Sequence, residues 1–98
     1  MIVTRNVFQL KFGMAKEAKA KMKEGLVFIE QMGVKDNRVC LDVTGPFYTM
    51  VLENTFDSLG AFEKGMAKLG KDKAWQKWYA SFSELVVSGR REIYTVVE

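Results

Sequence analysis

The side chains that could do chemistry in this chain are few. Asp42 and Glu53 are the carboxylates placed to exchange a proton with a ligand, and Arg5 is the cation that could steady an anion or an enolate. Gln9, Cys40, Thr49 and Arg91 could complete the polar lining of a pocket around them. Trp75 and Trp78, with Tyr79 and Phe82, could supply an aromatic wall for a flat ligand. The chain has no histidine, which removes imidazole acid–base catalysis, histidine metal ligation and histidine-ligated haem together. Cys40 is the single cysteine, and a lone strand cysteine is ordinarily a small buried apolar residue rather than a haem ligand. Neither a cofactor nor a metal is therefore expected. Each group also has a plain structural reading. Arg5 can pair with Glu53 or Asp42 across strands or across a subunit interface, and the helical spacing of the tryptophans suits core or dimer packing. No spacing amounts to a catalytic signature.

What must position these residues is a succession of strand and helix patterns. Val3–Lys11 alternates, with Arg5, Val7, Gln9 and Lys11 on one side and Phe8, Leu10 and Phe12 on the other. Met14–Met32 carries Ala15, Ala18, Met22, Leu26, Ile29 and Met32 at three- and four-residue intervals, a core-facing helical stripe stopped by Gly33. Gly25 inside that stripe allows close packing on a sheet. Arg38–Val43 and Phe47–Asn54 flank a Gly45-Pro46 turn, and a two-residue loop pairs Val43 with Tyr48, Leu41 with Met50 and Val39 with Leu52. One hairpin face is then wholly apolar. The other mixes Arg38, Cys40, Asp42, Phe47, Thr49, Val51 and Glu53. Ser58–Leu69, capped by Asp57 or Ser58, and Lys73–Val87, capped by Asp72, are helical, and Ser88-Gly89 releases the chain into a last strand, Arg90–Val97.

The order β-α-β-β-α-(α)-β is ferredoxin-like. It predicts one α+β domain spanning residues 1–98: a four-stranded antiparallel sheet with its helices on one face. The apolar hairpin face should take the helices. The mixed face holds Val7, Phe47 and Val51, too much apolar surface for a sheet left in water, so a second subunit is expected to cover it.

Local motifs agree. Leu10-Lys11-Phe12-Gly13 resembles the Leu-Lys-Pro-Gly strand end of NIPSNAP-like proteins, with Phe12 where that pattern has proline. The helix entry Glu53-x-x-Phe56-Asp57-Ser58-Leu59 and the closing Arg91-Glu92-Ile93-Tyr94 resemble the dimeric α+β barrel superfamily. The resemblance implies two sheets paired face to face, hence a homodimer, with a pocket inside the barrel or between the mixed face and the helices. It implies a range of activities, from haem-degrading monooxygenases and haem-dependent peroxidases to cofactor-free quinone-forming monooxygenases, lactone isomerases and proteins with no known reaction. A small-molecule-binding barrel is the expectation, as a cofactor-independent monooxygenase or isomerase; the alternative is a non-catalytic structural homodimer.

Other classes fit poorly. The formal charge of +3 owes much to Lys11, Lys16, Lys19, Lys21 and Lys23, but Glu17 and Glu24 interrupt them, as on a solvated helix face. An RNA-recognition module shares the element order and needs alternate aromatics on its third strand. Here Phe47 and Tyr48 are adjacent and point to opposite faces, so no nucleic-acid partner is expected. No apolar run approaches a membrane span, and the first residues alternate like a strand rather than a signal peptide. A cytoplasmic protein without a membrane partner is the expectation.

Overall fold

Alternating apolar residues build the first strand, β1 (Ile2–Leu10), and send Ile2, Thr4, Phe8 and Leu10 to the side that the helices cover. The structure, a computed structural model, describes residues 1–98. After β1 come α1 (Ala15–Glu30), β2 (Asp36–Leu41), β3 (Thr49–Phe56), α2 (Leu59–Gly70), α3 (Lys73–Ser83) and β4 (Val86–Thr95). The four strands lie in the order β2-β3-β1-β4, every neighbouring pair antiparallel, which is the ferredoxin-like arrangement. Side chains of Leu10, Met50, Leu52 and Phe56 meet Met22 and Ile29 of α1, Leu69 of α2, and Trp78 and Phe82 of α3 in one core. No helix is long and apolar enough to cross a membrane.

The hairpin register is the one the hydrophobic pattern requires: Leu41 faces Met50, and Val39 faces Leu52. The turn is longer than two residues. Asp42 Oδ1 accepts the Thr49 N–H at 2.9 Å, and Thr49 Oγ1 donates to the Pro46 carbonyl at 2.9 Å, so side chains close the hairpin where the ladder stops. Val43 consequently leaves the apolar face and is 96% exposed, Tyr48 takes a left-handed φ of 61°, and Phe47 lies in the loop instead of on the mixed face. β1 likewise ends at Leu10, leaving Phe12 exposed beside Gly13 at φ 81°.

Helix ends follow their signals. Ser58 Oγ accepts the Ala61 N–H at 3.1 Å, and Asp72 Oδ1 accepts from Ala74 and Trp75. The third helix stops earlier than its periodicity suggests, because Val86 and Val87 belong to β4, where β-branched residues pack well. Ser88 and Gly89 lie within the strand, opposite Gln9 and Phe8, and do not precede it. Gly25 admits a neighbour other than the sheet. A Cβ there would overlap the benzo ring of Trp78, whose indole N–H donates to the Lys21 carbonyl at 2.7 Å. This contact sets how closely α1 and α3 approach.

Candidate functional site

Strand alternation gives the sheet two chemically different faces, and each carries a concavity. On the helix side a cavity of about 560 Å³ opens between β1, β3 and β4 below and α2 and α3 above. Its walls are aromatic. Trp75 stacks on Trp78 at 5.1 Å between ring centres, Trp78 stacks on Phe82 at 5.2 Å, and Phe8 meets Phe82 edge-on at 5.2 Å. Phe62, Met66 and Tyr79 complete the apolar side. The polar groups come from strands. Asn54 on β3 is only 5% exposed, and its amide nitrogen meets no hydrogen-bond partner. Asn6 on β1 faces Arg91 on β4, and Arg91 Nε donates to Asn6 Oδ1 at 2.7 Å. The Arg91 guanidinium sits 5.4 Å from the centre of the Phe62 ring, a cation–π contact that orients it at the mouth.

The opposite face carries a row of charges running across all four strands. Arg38 on β2, Glu53 on β3, Arg5 on β1 and Glu92 on β4 are successive register partners. Arg38 Nη2 donates to Glu53 Oε1 at 2.8 Å; Arg5 Nε lies 3.0 Å from Glu53 Oε2, close enough for an ion pair but without the alignment of a hydrogen bond. Arg5 reaches Glu92 at 3.6 Å, and Arg90 Nε meets Glu92 at 3.0 Å. The Arg38 hydrogen bond holds the Glu53 carboxyl below the usual carboxylate range, outweighing partial burial. Glu92 is lowered too, first by its hydrogen bond from Arg90. Carboxylates held ionised in this way accept protons poorly. Beside the row lies a second hollow of about 520 Å³, lined by Gln9, Cys40, Asp42, Thr49 and Arg90. Gln9 Nε2 donates to the Phe47 carbonyl at 2.6 Å, and Asp42 is already committed to Thr49. No group of three His, Cys, Asp or Glu side chains that could hold a metal occurs.

Solved structures follow the same chain path. A NIPSNAP family protein of Agrobacterium tumefaciens superimposes with a TM-score of 0.87, covering 99% of this chain and 93% of its own at 19% identity. An uncharacterized NIPSNAP domain protein from Burkholderia xenovorans gives 0.89, covering 99% and 95% at 16% identity. The chain has the NIPSNAP fold. That fold is in turn similar to SnoaB, a cofactor-independent oxygenase from Streptomyces nogalater, with a TM-score of 0.76 over 99% of this chain and 93% of that one at 13% identity. No family model and no curated protein sequence matches the chain.

Within the NIPSNAP fold the sequence candidates divide between the two faces. Trp75, Trp78 and Arg91 line the helix-side cavity. Gln9, Cys40, Asp42 and Thr49 surround the hollow on the open face, with Arg5 and Glu53 in the charge row beside it. The larger cavity lies between the helices and the apolar face, not the mixed one, and Arg91 faces the helices because its partner is Asn6. Trp78 serves as wall, since its N–H is spent on Lys21. Among the polar lining residues outside the sequence candidates are Asn6 and Asn54. The signal was present: Asn54 is a polar residue in phase with Met50, Leu52 and Phe56, and Asn6 is in phase with Ile2, Phe8 and Leu10.

Proposed function

We propose that this chain is a cytoplasmic, homodimeric small-molecule-binding protein whose ligand occupies the helix-side cavity and reacts there with dioxygen without a cofactor. One observation carries the reading: a cavity of about 560 Å³ walled by Trp75, Trp78, Phe82 and Phe62, with the Arg91 guanidinium over the Phe62 ring at its mouth. The aromatic walls suit a flat ring system, and the similarity to a cofactor-independent oxygenase supports the reaction class. Such a reaction oxidises a methylene between aromatic rings to a carbonyl, with one oxygen atom entering the product and the other leaving as water.

Isomerisation is less well supported. It shuttles a proton and needs a base beside the ligand, whereas the cavity lining contains no Asp, Glu or His. The dimer is supported by the open face, where the half-buried Val3 and Val51 flank charges that are already paired. Calorimetric titration with anthrones and hydroxynaphthoquinones, alongside an oxygen electrode, tests the function. Saturable binding that weakens in Asn54→Leu, with oxygen uptake, is expected. Binding without uptake would favour the non-catalytic role, and no binding across the panel would refute the cavity reading.

A further inference from the structure

The charges on the open face alternate in sign across the sheet: Arg38 on β2, Glu53 on β3, Arg5 on β1 and Glu92 on β4. The arginine side chains stay 72% and 40% exposed, so they can reach away from the sheet as well as along it. A row that reads plus, minus, plus, minus reverses its sign about its midpoint, the gap between β3 and β1. Its two halves are therefore complementary. A homodimer closes about a two-fold axis, and between facing sheets that axis can run along the strands or across them. Along the strands at the midpoint, it reverses the strand order and sets Arg38 over the partner's Glu92 and Glu53 over the partner's Arg5. Across the strands over the row, it sets every charge over its own copy. Moved beside the row, it sets Glu53 over the partner's Val51 or the partner's Thr55, where no cation waits.

We infer that this row directs the docking of a second copy of the chain, with β2 of one subunit over β4 of the other. Arg38 then pairs with the partner's Glu92 and Arg5 with the partner's Glu53, each pair occurring twice by symmetry. The inference rests on the homodimer proposed above. Facing sheets keep their strands within about 30° of each other, and long arginine side chains span the offset this leaves at the edge strands. The neighbouring rows agree. Toward the hairpin, Val51 comes over the partner's Val7. At the other end, the exposed Asp36 comes over the partner's Tyr94, whose hydroxyl can donate to its carboxylate. Each charge of the row then meets its opposite within its own sheet and across the interface. The orientation that stacks like charges is the one disfavoured.

Sedimentation velocity over a dilution series tests this with exchanged charges. Arg38→Glu and Glu92→Arg, both on edge strands, should each raise the dimer dissociation constant roughly 10- to 100-fold, although they move the net charge in opposite directions. Arg38→Gln, which removes the charge without opposing it, should give a smaller loss in the same direction. The double variant Arg38→Glu with Glu92→Arg restores the facing pairs and should dimerise at least roughly tenfold more tightly than either single variant. Within one chain these positions stand three strand spacings apart, about 14 Å, against a screening length of roughly 8 Å at physiological salt, so recovery reports contact between subunits. The losses should shrink as salt is raised. Single variants that dimerise like the unaltered chain, or a double variant no better than the singles, would overturn this docking and leave the homodimer standing. A chain that stays monomeric at every concentration would overturn both.

Discussion

Replacing Gly25 by alanine should destabilise the protein even though alanine is the better helix former. Propensity alone favours the change by about 1 kcal/mol in the middle of α1. Against that gain, the new methyl group meets the Trp78 ring, and forced overpacking costs about 1–3 kcal/mol. Any tilt of the indole that relieves the clash strains the hydrogen bond from Trp78 Nε1 to the Lys21 carbonyl, at a further cost of about 1–3 kcal/mol if it breaks. With the bond broken the net loss is roughly 1–5 kcal/mol, and for a chain of this length each kcal/mol lowers Tm by about 4–8 °C. Thermal unfolding followed by circular dichroism measures it. The decisive control is the same substitution in a Trp78→Phe background, where the benzo ring is gone and only propensity remains. There Gly25→Ala should stabilise by about 1 kcal/mol. A stabilised Gly25→Ala in the wild-type background would refute the reasoning, as would the same sign in both.

Asn54→Leu should raise stability by about 1–2 kcal/mol in urea unfolding while weakening ligand binding, because it removes an unsatisfied buried amide. Glu53 has a folded-state pKa below its ordinary 4.5, so it contributes stability above that value and loses the contribution as pH falls below it. Glu53→Gln should therefore flatten the acid limb of the stability–pH curve, and an unchanged limb would count against the charge row. Light scattering at micromolar concentration should return twice the mass of one chain; the mass of a single chain would contradict the dimer.

The sequence made the strands and the hairpin register legible because period-two alternation admits one pairing that keeps Val39, Leu41, Met50 and Leu52 together. Where the chain leaves a strand was less legible. Side-chain bonds between Asp42, Thr49 and the Pro46 carbonyl close the hairpin, and no apolar pattern reports them. The junction at Glu84–Leu85 was obscured because Val86 and Val87 continue an apolar helical stripe while their branched side chains favour a strand. The face of Arg91 depends on how that junction sets β4 against β1, so its partnership with Asn6 emerges only from the folded sheet. Asn54 is the instructive miss. Its phase among buried neighbours marked it, but a polar residue in an apolar row is easily passed over as noise.

The charge row has a consequence for how the strands find one another. Alternation of side chains penalises a slip of one residue, since every apolar group would change face, but it tolerates a slip of two. The charges work against that remaining freedom. Sliding β4 by two residues one way brings Arg90 opposite Arg5 in place of Glu92, and sliding β2 by two one way brings Asp36 opposite Glu53 in place of Arg38; the opposite slips put Tyr94 and Cys40 there and forfeit the ion pairs. Like charges directly opposite destabilise a strand pair. Arg38, Glu53, Arg5 and Glu92 thus act together as a key that favours one seating of β2 and β4 on the central strands.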